Sequence, residues 1–255
     1  MNIIGIIPAR MESSRLPGKP LMKILGIPML GHVFYRSKMS KVINELYVAT
    51  CNEEIANYIE SINGNVVMTS NKHERASDRT AEALYKIEKQ LNKKFDIVIM
   101  LQGDEPMITS DMIDSAVKPL INDSEISVSN LMVRIENSLE FNDPNEVKVV
   151  IDKDNYALYF SREPIPSNKK YNGEINAYKQ VCVIPFKRNI LIEYTDLKPT
   201  PLEIIESVDM NRLLENGYKV KMIETEFQTL AVDTIKDLKT VNKKMLNDNL
   251  IKHYL

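Results

Sequence analysis

Short apolar runs alternate with amphipathic ones from the start of the chain. "NIIGII" (2–7), "ELYVAT" (45–50), "NVVMTS" (65–70) and "FDIVIML" (95–101) have the character of strands, while "MLGHVFYRSKM" (29–39) and "NEEIANYIESI" (52–62) carry apolar residues at helical spacing. This βαβαβ rhythm predicts a parallel sheet with right-handed crossovers and helices on its faces. "FDIVIML" is apolar on both alternations, as a strand covered on both sides must be. From 126 to 186 the texture changes to four β-rich runs, "ISVSNLMV", "EVKVVID", "YALYFS" and "QVCVIPF", read as an antiparallel or mixed extension of the sheet. "PTPLEIIESVDMNRLLENG" (199–217) then reads as one helix with Thr200 as cap and Gly217 as stop. A strand "YKVKMIE" follows, and a last helix begins near residue 234.

The chain of 255 residues is long enough for a substantial core, and no repeat, low-complexity tract or linker marks a boundary. A single domain over 1–255, with the β-rich extension at roughly 126–186, is therefore expected. Hydrophobic residues make up 44% and charged residues 27%, which excludes disorder and coiled coil. A net charge of −2 offers no field for nucleic acid or an anionic membrane. Cys51 and Cys182 lack metal-ligand spacing and read as buried small hydrophobes in a reducing compartment. The apolar stretch at Ile3–Ile7 is too short for a signal h-region, and no run approaches the length of a membrane span, so the cytoplasm is the expected location.

Chemistry enters at "IIPARMESSRLPGKPL" (6–21), where a strand breaks into a loop bearing Arg10, Ser13, Ser14, Arg15 and Lys19. In open α/β sheets ligands sit at the carboxyl ends of strands, and the loop after the first strand is the usual phosphate site. The loop matches neither GxxxxGK[ST] nor GxGxxG. From spacing alone, a solvated basic loop and a triphosphate grip read equally well. "IVIMLQGDEP" (97–106) then places Gln102, Asp104 and Glu105 at the same edge, where a carboxylate with substrate phosphates could hold Mg²⁺. Asp233 in "LAVDT" is either a second carboxylate for that ion or the N-cap of the last helix. The loop-like stretch 161–178 is long for an idle connection.

Taken together, "IIPARMESSRLPGKPL", "LQGDEPMI", "DPNEVKVV", "YALYFSR", "PTPLE" and "VDT" resemble, in order and spacing, the CMP-Kdo synthetase family, the 3-deoxy-manno-octulosonate cytidylyltransferases. The resemblance implies a Rossmann-like α/β fold of the nucleotide-diphospho-sugar transferase type, with a mainly parallel sheet and a β-rich extension that mediates homodimerisation. It implies transfer of CMP from CTP to an acidic sugar such as Kdo, with release of pyrophosphate. Arg10, Ser14, Arg15 and Lys19 match triphosphate-binding positions, with Arg15, Lys19 and Asp104 carrying the catalysis. Asp104 and Asp233 match the Mg²⁺-binding aspartates. Arg79 and Gln102 match nucleotide-side residues, and Arg162 matches an acceptor-side arginine.

The acceptor side departs from the family pattern. The family's histidine and tyrosine in "RHLGIY" stand here as Gln180 and Ile184, and its "EQ" as Asp209 and Met210. The loop "SGT(E/D)R" reads Arg75-Ala76-Ser77-Asp78-Arg79. A pocket missing complementary polar groups discriminates against a hydroxyl-rich acceptor. These changes therefore favour an altered acceptor: an 8-amino sugar, another ulosonic acid, or a small phosphonate or phosphate. Arg75, Arg162 and Lys179 would keep an anion welcome, although each also reads as a solvated surface charge. His32 and His73 read as structural or surface residues, and neither is expected to act as general base. A non-catalytic nucleotide-binding module is the remaining alternative, disfavoured by the retention of Asp104, Asp233, Arg15 and Lys19.

Overall fold

The structure is a computed structural model that describes residues 1–13 and 15–254. It divides into two compact units, one formed by 1–114 with 229–255 and the other by 115–228.

In the first unit the strands Ile97–Leu101, Ile3–Ala9, Glu45–Thr50 and Asn65–Met68 lie side by side in that order, all parallel. Every residue of Ile97–Leu101 is buried, as its unbroken apolar run requires. The parallel register has one functional consequence. It brings the carboxyl ends Ala9, Thr50, Met68 and Leu101, and the loops that follow them, to one edge. The expected helices form at Met29–Lys38 and Glu53–Ser61. A helix over Ala76–Leu91 was not expected: Ala76, Ser77, Asp78 and Arg79, read from sequence as a loop, are its first turn, and Arg75 is its N-cap residue. Helices Ser110–Asn122 and Arg188–Asp196 were also missed.

Beneath that edge the last helix, Ile235–Met245, buries Val241 and Met245 with Leu16, Ile24, Met29, Val232 and Ile251. Each such burial stabilises by roughly 1.5–3 kcal/mol. Thr234 caps this helix, its hydroxyl accepting from the Asp237 backbone N–H (3.2 Å) while the Asp237 carboxylate accepts from Thr234 N–H (2.8 Å). The cap is thus the residue after Asp233, which leaves the Asp233 carboxylate to other partners.

The second unit has its own sheet, Lys221–Thr225, Ser129–Arg134, Tyr178–Val181, Lys148–Ile151 and Ala157–Ser161 in that order. The first pair is parallel and the rest antiparallel. Three of the β-rich runs, the Tyr178–Val181 part of the fourth and "KMIET" therefore build a mixed sheet of their own, of which Val183–Lys187 is not a part. The run "QVCVIPF" is broken at Cys182 into two strands, Tyr178–Val181 and Val183–Lys187. The helix expected at 200–216 is two short ones, Pro201–Glu206 and Asp209–Glu215. They part at Ser207, whose φ of 53° is left-handed, and Val208 N–H folds back to Glu203 O. No strand or helix occupies 162–177, as the sequence suggested.

A buried charge in the second unit and a half-buried one in the first brace their surroundings. Lys148 is fully buried, and its ammonium donates to the carbonyls of Asp143 (2.8 Å), Glu146 (2.7 Å) and Arg162 (2.5 Å). In the first unit Glu82, on the Ala76–Leu91 helix, accepts from Ser70 N–H (2.9 Å) and Lys86 (2.7 Å), and contacts His73 Nε2. Partial burial would raise the Glu82 carboxyl, but Lys86, the Ser70 N–H and His73 outweigh it and hold the pKa at about 2.

Lys148→Met should cost about 3 kcal/mol, because three inward carbonyls lose their common donor. Urea unfolding measures this; a loss under about 1 kcal/mol would show that the carbonyls find other partners. For Glu82 the folded pKa lies below the unfolded 4.5, so its contribution is complete above pH 4.5 and is lost as pH falls towards 2. Glu82→Gln should therefore unfold about 2–3 kcal/mol more easily than wild type at pH 6, with the gap closing through acid. A gap independent of pH between 6 and 2.5 would contradict this assignment.

Candidate active site

The loop after the first strand turns back on itself. Met11 N–H donates to Asn52 Oδ1 (3.0 Å), Gly18 N–H donates to Met11 O (3.0 Å), and Gly18 adopts φ 74°, which a side chain would strain. A short 3₁₀ turn, Lys19–Leu21, follows, with Pro20 buried as its anchor. This places Lys19 against the carboxyl edge.

There Lys19 Nζ donates to Asp104 Oδ2 (2.7 Å) and Asp233 Oδ1 (3.1 Å), and Arg15 pairs with the same Asp233 oxygen (2.9 Å). The backbone explains the convergence: Val232 N–H donates to Asp104 O (2.9 Å), so the chain returning to the last helix is hydrogen-bonded to the loop that carries Asp104. Glu105 adds a second tie, accepting from the Thr229 hydroxyl (2.9 Å). Burial alone would pull the Lys19 ammonium down, but Asp104 and Asp233 outweigh it and its pKa is raised above the ordinary value. Lys19 thus stays a cation throughout the physiological range.

Asp104 Oδ1 is buried and has no hydrogen-bond partner. An unpaired carboxylate oxygen beside a second carboxylate suits a hard cation. Among the described residues no group of three or more His, Cys, Asp or Glu gathers in a metal-binding cluster, so an ion here would draw further ligands from substrate oxygens and water.

The other residues expected on the nucleotide side lie on the same edge. Arg10 donates to His73 O (3.3 Å). Arg79 is 3% exposed; one terminal nitrogen donates to Thr69 Oγ1 (2.5 Å) and Ser70 O (3.1 Å), and the other is buried with no partner. Gln102 directly follows the central strand. Ser14 lies outside the described residues.

Of the acceptor-side expectations, Arg162, Lys179, Gln180, Ile184, Asp209 and Met210 fall in the second unit, and Arg75 in the first. Gln180 Nε2 donates to Asn130 Oδ1 (2.5 Å), and Asn130 in turn donates to Val181 O (2.7 Å). Ile184 is 2% and Met210 0% exposed, so both side chains are buried. Asp209 opens the helix that carries Met210. The Arg162 guanidinium donates to backbone carbonyls, Glu206 O (2.7 Å), Pro144 O (2.9 Å) and Ser207 O (3.4 Å) among them. Lys179 is not a surface charge: it is 2% exposed and paired with Glu140 (2.5 Å) and Glu146 (3.1 Å), and although burial pulls its ammonium down, the two carboxylates leave the net shift upward.

Sequence reasoning missed Asn52, which braces the basic loop, and placed Glu105 at the ligand edge without finding its bracing contact with the Asp233 segment. Asn52 had a usable signal, since it stands two residues past the end of a parallel strand. Glu105 had none, because its partner Thr229 lies far along the chain.

A family model described as Cytidylyltransferase matches residues 4–224. The 3-deoxy-manno-octulosonate cytidylyltransferase of Geobacter metallireducens is 40% identical, over 96% of this chain and 98% of its own. That of Fusobacterium nucleatum is also 40% identical, over 98% and 99%. A solved structure described as CMP:2-keto-3-deoxy-manno-octonic acid synthetase complexed with CTP superposes with a TM-score of 0.88 at 34% identity, covering 97% of this chain and 100% of its own. A putative glucose-1-phosphate thymidylyltransferase from Bacillus anthracis shares the fold, at TM-score 0.67 and 17% identity. With basic loop and paired aspartates set on a shared edge, and with this likeness along nearly the whole length, the chain belongs to the CMP-Kdo synthetase (3-deoxy-manno-octulosonate cytidylyltransferase) family.

Proposed function

We propose that this protein transfers CMP from CTP to Kdo with release of pyrophosphate. The observation that carries the reading is the meeting of Lys19 and Arg15 with Asp104 and Asp233, in a chain 40% identical to enzymes named for that reaction. In nucleotidyl transfer the protein positions the reactants and neutralises charge. An acceptor hydroxyl oxygen attacks the α-phosphate in line, the bond to the β-phosphate oxygen breaks, pyrophosphate leaves with that electron pair, and the hydroxyl proton passes to solvent. Arg15 and Lys19 bind the departing pyrophosphate, and the raised Lys19 pKa keeps it charged for that role. The unpartnered nitrogen of Arg79, with Arg10 and Gln102 on the same edge, supports a nucleotide contact there. Asp104 and Asp233 would hold Mg²⁺, which when bound supplies charge neutralisation at phosphate oxygens.

The acceptor is the one named in the relatives. The apolar residues at 184 and 210 are interior side chains, which removes two of the departures that favoured a different acceptor. Gln180, Asp209 and Arg162 stay in the proposal as acceptor-side residues. Homodimerisation and a cytoplasmic location belong to the same proposal; no helix among the described residues is long and apolar enough to cross a membrane. Exposed Leu158, Ile204 and Ile205 on the second unit support an interface there.

The test is pyrophosphate release with Mg²⁺, each nucleoside triphosphate in turn, and Kdo beside 8-amino-Kdo and other ulosonic acids. Release is expected with CTP and Kdo. Efficient release only with a different acid would overturn the acceptor, and CTP binding without release for any acid would indicate a binding module. Asp104→Asn should lower kcat by about a thousandfold or more while leaving the fold intact by circular dichroism. Undiminished activity in that variant would show that the metal lies elsewhere.

A further inference from the structure

We infer that a buried chain of hydrogen bonds running from Arg36 through Tyr254 and His32 to Ile24 is a positioning device for the Lys19, Asp104 and Asp233 cluster. His32 and Arg36 lie one turn apart on the Met29–Lys38 helix, and both are fully buried. His32 Nε2 is 2.8 Å from Ile24 O, and His32 Nδ1 is 2.9 Å from the Tyr254 hydroxyl. Arg36 Nε donates to the same hydroxyl (2.9 Å).

The protons follow from chemistry. A carbonyl oxygen only accepts, so His32 Nε2 carries hydrogen. Arg36 only donates, so the Tyr254 oxygen accepts from it and its own hydrogen is free to point at His32 Nδ1, which must then be bare. Burial favours the same neutral imidazole, pulling the His32 pKa below its ordinary value. The chain is directed and fully satisfied: Arg36 to Tyr254 to His32 to Ile24 O. Tyr254 is further held by stacking on Tyr35, with ring centroids 5.3 Å apart.

What this chain connects gives it a function. Ile24 is five residues beyond Lys19, on the segment that continues the Lys19 turn. The other arms of Arg36 reach Ile108 O (3.3 Å), four residues beyond Asp104, and Asp248 (2.6 Å), beyond the helix that Asp233 precedes. The Lys19 and Asp104 segments are therefore tied to one helix turn five and four residues on, and the Asp233 segment is tied to it fifteen residues on, through the helix Ile235–Met245. Two carboxylates and an ammonium held within hydrogen-bond reach of each other require their backbones to be fixed to a few tenths of an ångström, and a displacement near 1 Å at such a site costs up to about 10²-fold in rate. Tyr254 is the weak point of the chain, because a single hydroxyl serves both neighbours.

The proposal rests on the cytidylyltransferase reading for its kinetic arm, and amide exchange tests it without that reading. In Tyr254→Phe, exchange monitored by mass spectrometry should accelerate about tenfold or more at Met22, Ile108 and Val232, whose amides bond to Lys19 O, Glu105 O and Asp104 O, and stay unchanged in Ile97–Leu101. Acceleration confined to 249–254 would overturn the proposal. In pyrophosphate release from CTP and Kdo, Tyr254→Phe should lower kcat about tenfold with the KM for Kdo within about twofold of wild type. His32→Gln, which offers one donor and one acceptor, should restore kcat to within about threefold of wild type, whereas His32→Leu should resemble Tyr254→Phe. Tyr218→Phe, which loses a remote exposed hydroxyl bonded to Glu193, is the matched control and should change nothing. Wild-type turnover with unaffected kcat in Tyr254→Phe would defeat the positioning role. An inactive wild type would defeat the function instead, leaving the exchange result to decide this inference.

Discussion

Two carboxylates brought within reach of one ammonium impose the constraint on which the first unit is organised. Asp104 and Asp233 stand 129 residues apart in the sequence and would repel if left alone together at a half-buried edge. Lys19, with Arg15, supplies the positive charge that lets them stay, and the Val232 to Asp104 backbone bond holds the two segments in register. The same balance sets the chemistry. In the proposed reaction such a cluster would suit a triphosphate with its counter-ion: Lys19 and Arg15 would bind phosphate oxygens, and Asp104 and Asp233 would hold the metal.

Charge placement of this kind depends on the parallel sheet more than on any one loop. The strands share one direction, so every following loop opens on the same edge, and residues as distant in sequence as Arg10, Asn52, Arg79 and Asp104 gather there. The second unit solves a different problem. Its charges, Lys148, Lys179, Arg162, Glu146 and Glu206, are largely consumed by one another and by backbone carbonyls. Paired burial of that sort is costly to break and adds little net stability when intact, which suits a framework that must keep loops in place.

The parallel strands were legible because a covered strand must be apolar on both sides, and the basic loop and "QGDEP" because sheet topology says where ligands bind. The Ala76–Leu91 helix was not, since its first turn is charged and polar and the eye is drawn to a family loop. The break at Ser207 was hidden too: an apolar periodicity runs through it, and only the left-handed turn that lets Val208 reach Glu203 ends the first helix. Arg162 and Lys179 show the limit of reading charge from sequence. A basic residue looks the same whether it faces an anionic substrate or, like Lys179, is closed between two glutamates.

The roles of Ile184 and Met210 turn on the same distinction between composition and placement. Replacing a polar group by an apolar one alters recognition only where the group faces ligand; in a closed interior the apolar residue is the favourable choice, because an unpaired hydroxyl or amide there would cost about 1–3 kcal/mol. Both side chains are interior, and Gln180 is already bonded to Asn130. The physical weight of the departures therefore shifts from a lost contact surface to a repacked support behind it. A support can change composition while the surface it presents keeps its shape, which reconciles an unusual set of residues with a chain otherwise so close to enzymes named for Kdo.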